Sequence, residues 1–161
     1  AAEYLYRTFG IPYVCGVPVG TVFRQTLAAA LHTAVQTGEP QYPCAIRRSD
    51  TAKTVVIGEC IAAGSIAAEI GAQVICPLDT APALCAPQDS HAFAEAEIAA
   101  ELQKIQPETV IADPLYQYIL PQHTALIRLP HFAFSGRCFA KEMQDLTAAS
   151  WLHSQERSIS P

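Results

Sequence analysis

The sequence predicts an α/β fold: a Rossmann-like doubly wound sheet of about four parallel strands with helices on both faces. Three observations carry that expectation. Four short apolar runs, "TVVIG", "AQVIC", "TVIAD" and "TALIRL", recur between Thr54 and Leu129. Helix-like stretches separate them, and the connections are too long for hairpins, so the strands run parallel through right-handed crossovers. The centres of the runs are consecutive apolar residues and do not alternate with polar ones, as expected of strands covered on both faces.

Taken in order, "AEYLYRTF" reads as the last turns of a helix stopped by Gly10. With no initiator Met before it, this opening suggests a fragment of a longer multidomain protein. "IPYVC" is a short strand candidate and "GVPVG" is turn material. Thr21 is positioned to cap a helix from Val22 to about Gln36, whose apolar stripe includes Phe23, Leu27, Ala30 and Ala34 and which Gly38 ends. A polar, proline-marked connector runs from Glu39 to Lys53.

The first strand, Thr54 to Gly58, leads into "SIAAEIG", a short helix closed by Gly71. The second, Gln73 to Cys76, opens a loop holding Pro77, Pro82, Pro87 and Cys85; loops of that length in a compact domain are often functional. Ser90 is a candidate cap for a helix running to about Gln106, with Ile98 and Leu102 on its inner face. Strands follow at Thr109 to Ala112 and Ala125 to Leu129, and Ser135 is placed to cap a last helix from Gly136 to Leu152. The chain then divides into an N-terminal helix and connector (1–53), a parallel-sheet core (54–152) and a tail (153–161), together one α/β domain.

Composition narrows the function classes. A chain of 161 residues buries roughly two thirds of its unfolded surface in one core. Half the residues are hydrophobic, yet no apolar stretch reaches the ~18 residues of a membrane span. The formal charge is -5 and the densest basic cluster is the pair Arg47-Arg48, which argues against a nucleic-acid surface. None of the six cysteines forms a CxxC pair, and the stretch given carries no signal-peptide pattern, so the expectation is a cytoplasmic protein with free thiols and no metal on the isolated fragment. Cys15, Cys44 and Cys138 read as small apolar residues, whereas Cys60, Cys76 and Cys85 fall near the strand ends.

Ligands of open α/β sheets collect outside the carboxyl ends of the strands. Those ends carry Glu59, Asp79, Asp113 and His131. Glu59 and Asp113 fit two readings: acid, base or ligand in a cleft, or acceptors for backbone amides at the next helix start. His131 fits a metal ligand, its second nitrogen oriented by a hydrogen bond, or a capping residue. Ser135 lacks a GxSxG frame, which leaves capping as its reading. "GECIAAG", with Gly58 and Gly64, lacks the GxGxxG order of a dinucleotide site.

The succession "AEYLYRTFGIPYVCGVPVGT", "TVVIGE", "PETVIADPLY" and "LPHFAFSGR" resembles the C-terminal domain of the nitrogenase component 1 type oxidoreductases. That family comprises the nitrogenase α and β subunits, their cofactor-assembly scaffolds and the subunits that reduce porphyrin-type rings. The resemblance implies a cleft holding an iron-sulfur or iron-molybdenum-like metal cluster, or a tetrapyrrole-like substrate. It implies a homologous subunit as partner and an ATP-dependent iron-sulfur reductase as electron donor. It places His131, Ser135 and Gly136 where nitrogenase α subunits carry the cofactor-binding histidine and the Ser-Gly that follows, making His131 a cofactor and metal residue, with Glu59 and Asp113 as nearby proton-handling groups. Leu115 replaces a lysine of those subunits, and Ala133-Phe134 replaces a Trp-Asp pair, so the likeness is to a divergent relative of the dinitrogen-reducing enzymes. Two other readings stand beside an oxidoreductase subunit: a non-catalytic assembly scaffold, and a plain ligand-binding α/β module. The fragment alone is expected to be inactive.

Overall fold

The computed structural model describes residues 1–49, 51–143 and 145–147. Five parallel strands form one sheet: β1 (Thr54–Ile57), β2 (Gln73–Cys76), β3 (Ser90–His91), β4 (Thr109–Ala112) and β5 (Ala125–Arg128), in the order β3-β2-β1-β4-β5. All pairings are parallel; Val55 lies beside Gln73 on one side and Val110 on the other. The expected α/β class is therefore present, with one strand more than the sequence suggests.

The extra strand replaces the helix start expected at Ser90. Ser90 and His91 pair with Ile75 and Cys76, and the helix α4 begins only at Glu95 (Glu95–Ile105). Its cap is the Glu97 carboxylate, which accepts from the backbone N–H of Phe93 and Ala94 at 2.8 and 3.2 Å. Two residues of edge strand have no apolar periodicity to reveal them.

The strands alternate their side chains between two apolar layers. Val56, Val74, Cys76 and Ile111 face α3 (Cys60–Ile70), while Val55, Ile75 and Val110 face Ile98 and Leu102 of α4. Helix α3 is buried along most of its length because the N-terminal segment covers its outer side. That explains its small residues: a Cβ on Gly64 would stand 2.5 Å from the Cys44 carbonyl oxygen. Ser65, fully buried, accepts the Val17 N–H at 3.0 Å and donates to Ile61 O at 2.6 Å. Gly64 is thus a packing residue, and no phosphate loop is formed.

The N-terminal segment contains α1 (Ala2–Phe9), stopped by Gly10 at φ 66°, and α2 (Val22–Thr37). "IPYVC" forms no strand, only a bridge between Val14 and Gln41. Thr21 does not cap α2 with its side chain; the Glu69 carboxylate of α3 accepts instead from the N–H groups of Thr21 and Phe23 at 2.9 and 2.5 Å. Only Phe23 and Ala34 of the expected stripe are fully buried, and Val22, Leu31 and Val35 face outward.

The helix expected from Gly136 does not form in the described residues. The chain turns repeatedly from His131 and makes one 3-10 turn at Ala140–Glu142; Gln144 and residues 148–161, including the expected helix end and tail, lie outside the described residues. Ser135 instead closes a turn, donating to the His131 carbonyl at 3.4 Å, and Gly136 follows at φ 60°. A left-handed residue one step after the expected cap is incompatible with a helix starting there.

Candidate functional site

Strand order reverses between β1 and β4, and the segments that follow them, α3 after β1 and the 3-10 stretch Pro114–Ile119 after β4, pack on opposite faces of the sheet. A cleft of about 550 Å³ opens there, at the carboxyl ends of β1, β4 and β5. Its position follows from topology, because neighbouring loops that depart in opposite directions leave a gap between them.

Glu59, Asp113 and His131 all line this cleft; Ser135 and Gly136 do not. Glu59 ends the turn after β1 in extended conformation (φ -62°, ψ 136°) and caps α3, accepting from Ile61 N–H at 2.9 Å and Ala62 N–H at 3.0 Å. Asp113, 4% exposed, spans two strand ends: Oδ1 accepts from Leu115 N–H at 3.0 Å and Oδ2 from His131 N–H at 2.9 Å. Both carboxylates thus make the backbone contacts that the capping reading requires. Asp113 also fixes where the chain goes after β5, and so where His131 stands.

The His131 ring is exposed, and its Nδ1 accepts from Ala133 N–H at 3.2 Å. An accepting Nδ1 carries no hydrogen, so the neutral ring holds its proton on Nε2 and offers a donor. Ligation of a metal through Nε2 requires the other tautomer, and ligation through Nδ1 displaces Ala133 N–H. Among the described residues no group of three or more His, Cys, Asp or Glu is arranged to hold a metal ion. The described residues gather no such group at the cleft.

The remaining walls are apolar and aromatic, and the sequence reading missed them. Tyr116, after β4, stacks on Phe134 at 4.8 Å between ring centroids and 16° between planes, and Phe93 joins from the loop before α4. Tyr116 is 5% exposed; burial, then the nearby Asp113 charge, pushes its phenol above the ordinary value and keeps it a donor. Tyr116 lies three positions beyond Asp113 in "DPLY", and that proximity was the available signal.

No helix among the described residues is long and apolar enough to cross a membrane. No protein-family model matches the chain, and neither does any curated protein or solved structure.

Proposed function

We propose that this chain forms one wall of a ligand cleft in a nitrogenase component 1 type oxidoreductase subunit, and that the occupant is a flat, largely apolar ring of tetrapyrrole-like chemistry held for reduction. The observation that carries this reading is the aromatic stack of Tyr116 and Phe134 beside the outward Nε2–H of His131, in an apolar cleft at the switch point of the sheet. Stacked aromatic faces suit a planar ring, and a few convergent polar groups orient it. His131 donates to an acceptor on the ring's edge, while Asp113 holds the His131 backbone in place. A homologous subunit closes the cleft, and electrons come from an ATP-dependent iron-sulfur reductase in the cytoplasm. The hard electron chemistry belongs to the reductase's clusters and the ring; this chain binds, orients and excludes water.

The alternative occupant, a metal cluster, fits less well, because the His131 tautomer presents a hydrogen and, among the described residues, no group of three or more His, Cys, Asp or Glu is arranged to hold a metal ion. A water-soluble free-base porphyrin, titrated into the protein and followed by its visible absorption, tests the reading. Saturable binding is expected, weakened roughly fivefold to tenfold in Phe134→Ala by loss of about 1 kcal/mol of stacking. Absent binding, or an unchanged affinity in Phe134→Ala, overturns it. Stoichiometric iron and sulfide in anaerobically purified protein, lost in His131→Ala, would establish the cluster reading instead.

A further inference from the structure

Three of the six cysteines, distant in sequence, meet at the carboxyl rim of β1 and β2. Cys60 begins α3, Cys76 ends β2, and Cys85 follows a 3-10 turn at Pro82–Leu84 in the proline-marked loop. Cys60 Sγ lies 3.1 Å from Cys85 Sγ, and Cys76 Sγ lies 3.5 Å from both the Leu78 carbonyl oxygen and Thr80 Oγ1. His91, on β3, stands with Nε2 3.4 Å from Cys85 Sγ.

The ring of His91 is oriented by its other nitrogen. Nδ1 lies 3.4 Å from the Leu78 carbonyl, which only accepts, so Nδ1 carries the hydrogen and Nε2 presents a lone pair to the Cys85 thiol. Nucleophile, base and a group orienting the base thus occur in a row. Burial pushes the Cys85 thiol above its ordinary value, so activation needs a base, and His91 supplies one. Accessibility assigns the remaining roles: Cys60 and Cys76 are 1% and 0% exposed, while Cys85 is half-buried and His91 exposed. A reagent in solution meets Cys85 first, and Cys60 waits behind it.

We propose that Cys60 and Cys85 are a redox-active dithiol, with Cys85 the attacking and Cys60 the resolving residue, oxidised reversibly by a low-molecular-weight disulfide. In the first step the Cys85 proton passes to His91 Nε2 and the thiolate attacks the disulfide RSSR. Its S–S bond breaks, a Cys85–S–S–R bond forms, and RS⁻ leaves, taking the proton from His91. In the second, Cys60 sulfur attacks Cys85 sulfur, and the second RS⁻ leaves with the Cys60 proton. Two protein thiols are oxidised and one RSSR is reduced to two RSH. The product ties the first turn of α3, next to Glu59 of the cleft, to the loop after β2, so the thiol state reaches the rim of the cleft. A soft metal is the competing use of these side chains. The edge of a tetrahedral zinc-thiolate site is about 3.8 Å for bonds of about 2.3 Å, longer than the Cys60 to Cys85 approach.

The test is equilibration of the purified protein with glutathione at graded oxidised-to-reduced ratios, trapping of thiols by alkylation, and digestion after glutamate and aspartate. That cleavage puts Cys60 (60–69), Cys76 (70–79) and Cys85 (80–89) on separate peptides. Expected is a single cross-link between 60–69 and 80–89, reversed by excess reduced glutathione, with Cys76 free. Cys76→Ser keeps the cross-link; the part-exposed Cys85→Ser abolishes it while the protein retains its far-ultraviolet dichroism. His91→Ala slows its formation severalfold and leaves the product unchanged. Alkylation of Cys60 and Cys85 at every ratio overturns the proposal. So does a disulfide formed through Cys76, or one zinc per chain in the isolated protein that disappears in Cys85→Ser.

Discussion

Arg48 and Asp89 form an ion pair whose two side chains are each only 3% exposed, joining the connector before β1 to the loop before β3. Neither charge is left short of partners. Arg48 also donates to the carbonyls of Ala72, Cys44 and Ile46 at 2.9, 3.1 and 3.2 Å, and Asp89 accepts from Val74 N–H at 3.1 Å and Ala86 N–H at 2.9 Å. Removing one partner strands a buried charge. Asp89→Ala is expected to lower unfolding free energy by about 3–5 kcal/mol, measured by urea denaturation. The pair Arg48→Met with Asp89→Leu should recover part of this, the share due to the stranded charge, while the orphaned Val74 and Ala86 amides keep the rest. Equal losses in the single and double variants would show that the amides, not the charges, hold the loop.

Gly64 supports a second prediction. Because an added Cβ meets backbone, the Cys44 carbonyl at 2.5 Å, and not a movable side chain, Gly64→Ala should cost about 1–3 kcal/mol by forcing α3 off the N-terminal segment. Gly71→Ala provides the contrast. Its Cβ meets nothing within 4 Å, but φ is 74°, so its cost comes from backbone strain alone, about 1–2 kcal/mol. Thermal melts of the two variants separate the causes, since Gly64→Ser should be worse than Gly64→Ala and Gly71→Asn better than Gly71→Ala.

These residues also show where the sequence was readable. The runs around Val55, Val74, Val110 and Leu126 are apolar and short, and strands β2 and β4 begin and end at the expected residues because a buried parallel strand needs that pattern. What could not be read depends on contacts between distant residues. Glu69 caps α2 from another helix, Asp89 holds β3 in register from the loop before it, and Cys60 meets Cys85 only after the sheet has assembled. Ser135 shows the converse: a good local cap loses to the turn that follows β5. At the cleft, the carboxylates and His131 were visible as residue types at strand ends. The Tyr116 to Phe134 stack was not, since it joins the turns after two different strands.

Asp113 and His131 should behave oppositely in stability. His131→Ala removes an exposed ring with no cavity left behind, so a cost under about 1 kcal/mol is expected. Asp113→Ala leaves the amides of Leu115 and His131 without their acceptor in a site only 4% exposed, at about 1–3 kcal/mol. Chemical denaturation of the two variants at neutral pH makes the comparison. A larger loss for His131→Ala would mean that the ring packs into the core.

Glu97 gives the fold a dependence on pH. Backbone N–H groups of Ala94 and then Phe93 hold its carboxyl below the usual value. A depressed folded value means that the contribution is present above the ordinary carboxylate range and is lost as pH falls through the depressed value. The stability gap between the native protein and Glu97→Ala should therefore be constant near neutrality and shrink as pH is lowered below about 4. A gap unchanged by acid would show that the uncharged carbonyl of the side chain suffices as the cap.

Strand β1 occupies the centre of the sheet, flanked on both sides, whereas α1 buries none of its residues and is held by Tyr13 to Glu3 and Tyr6 to Glu39 hydrogen bonds at 2.5 Å. Opening free energy is therefore graded along the chain. Amide protons of Val55 and Val56 should exchange with solvent only through global unfolding, those of α1 by local fraying, and those of α2 at an intermediate level set by Phe23 and the Glu69 cap. β1 pairs with β4 across the stretch of chain that carries β2, β3 and α4, so the slowest-exchanging part of the molecule rests on one of its least local contacts and is expected to be among the last to acquire all its neighbours as the chain folds.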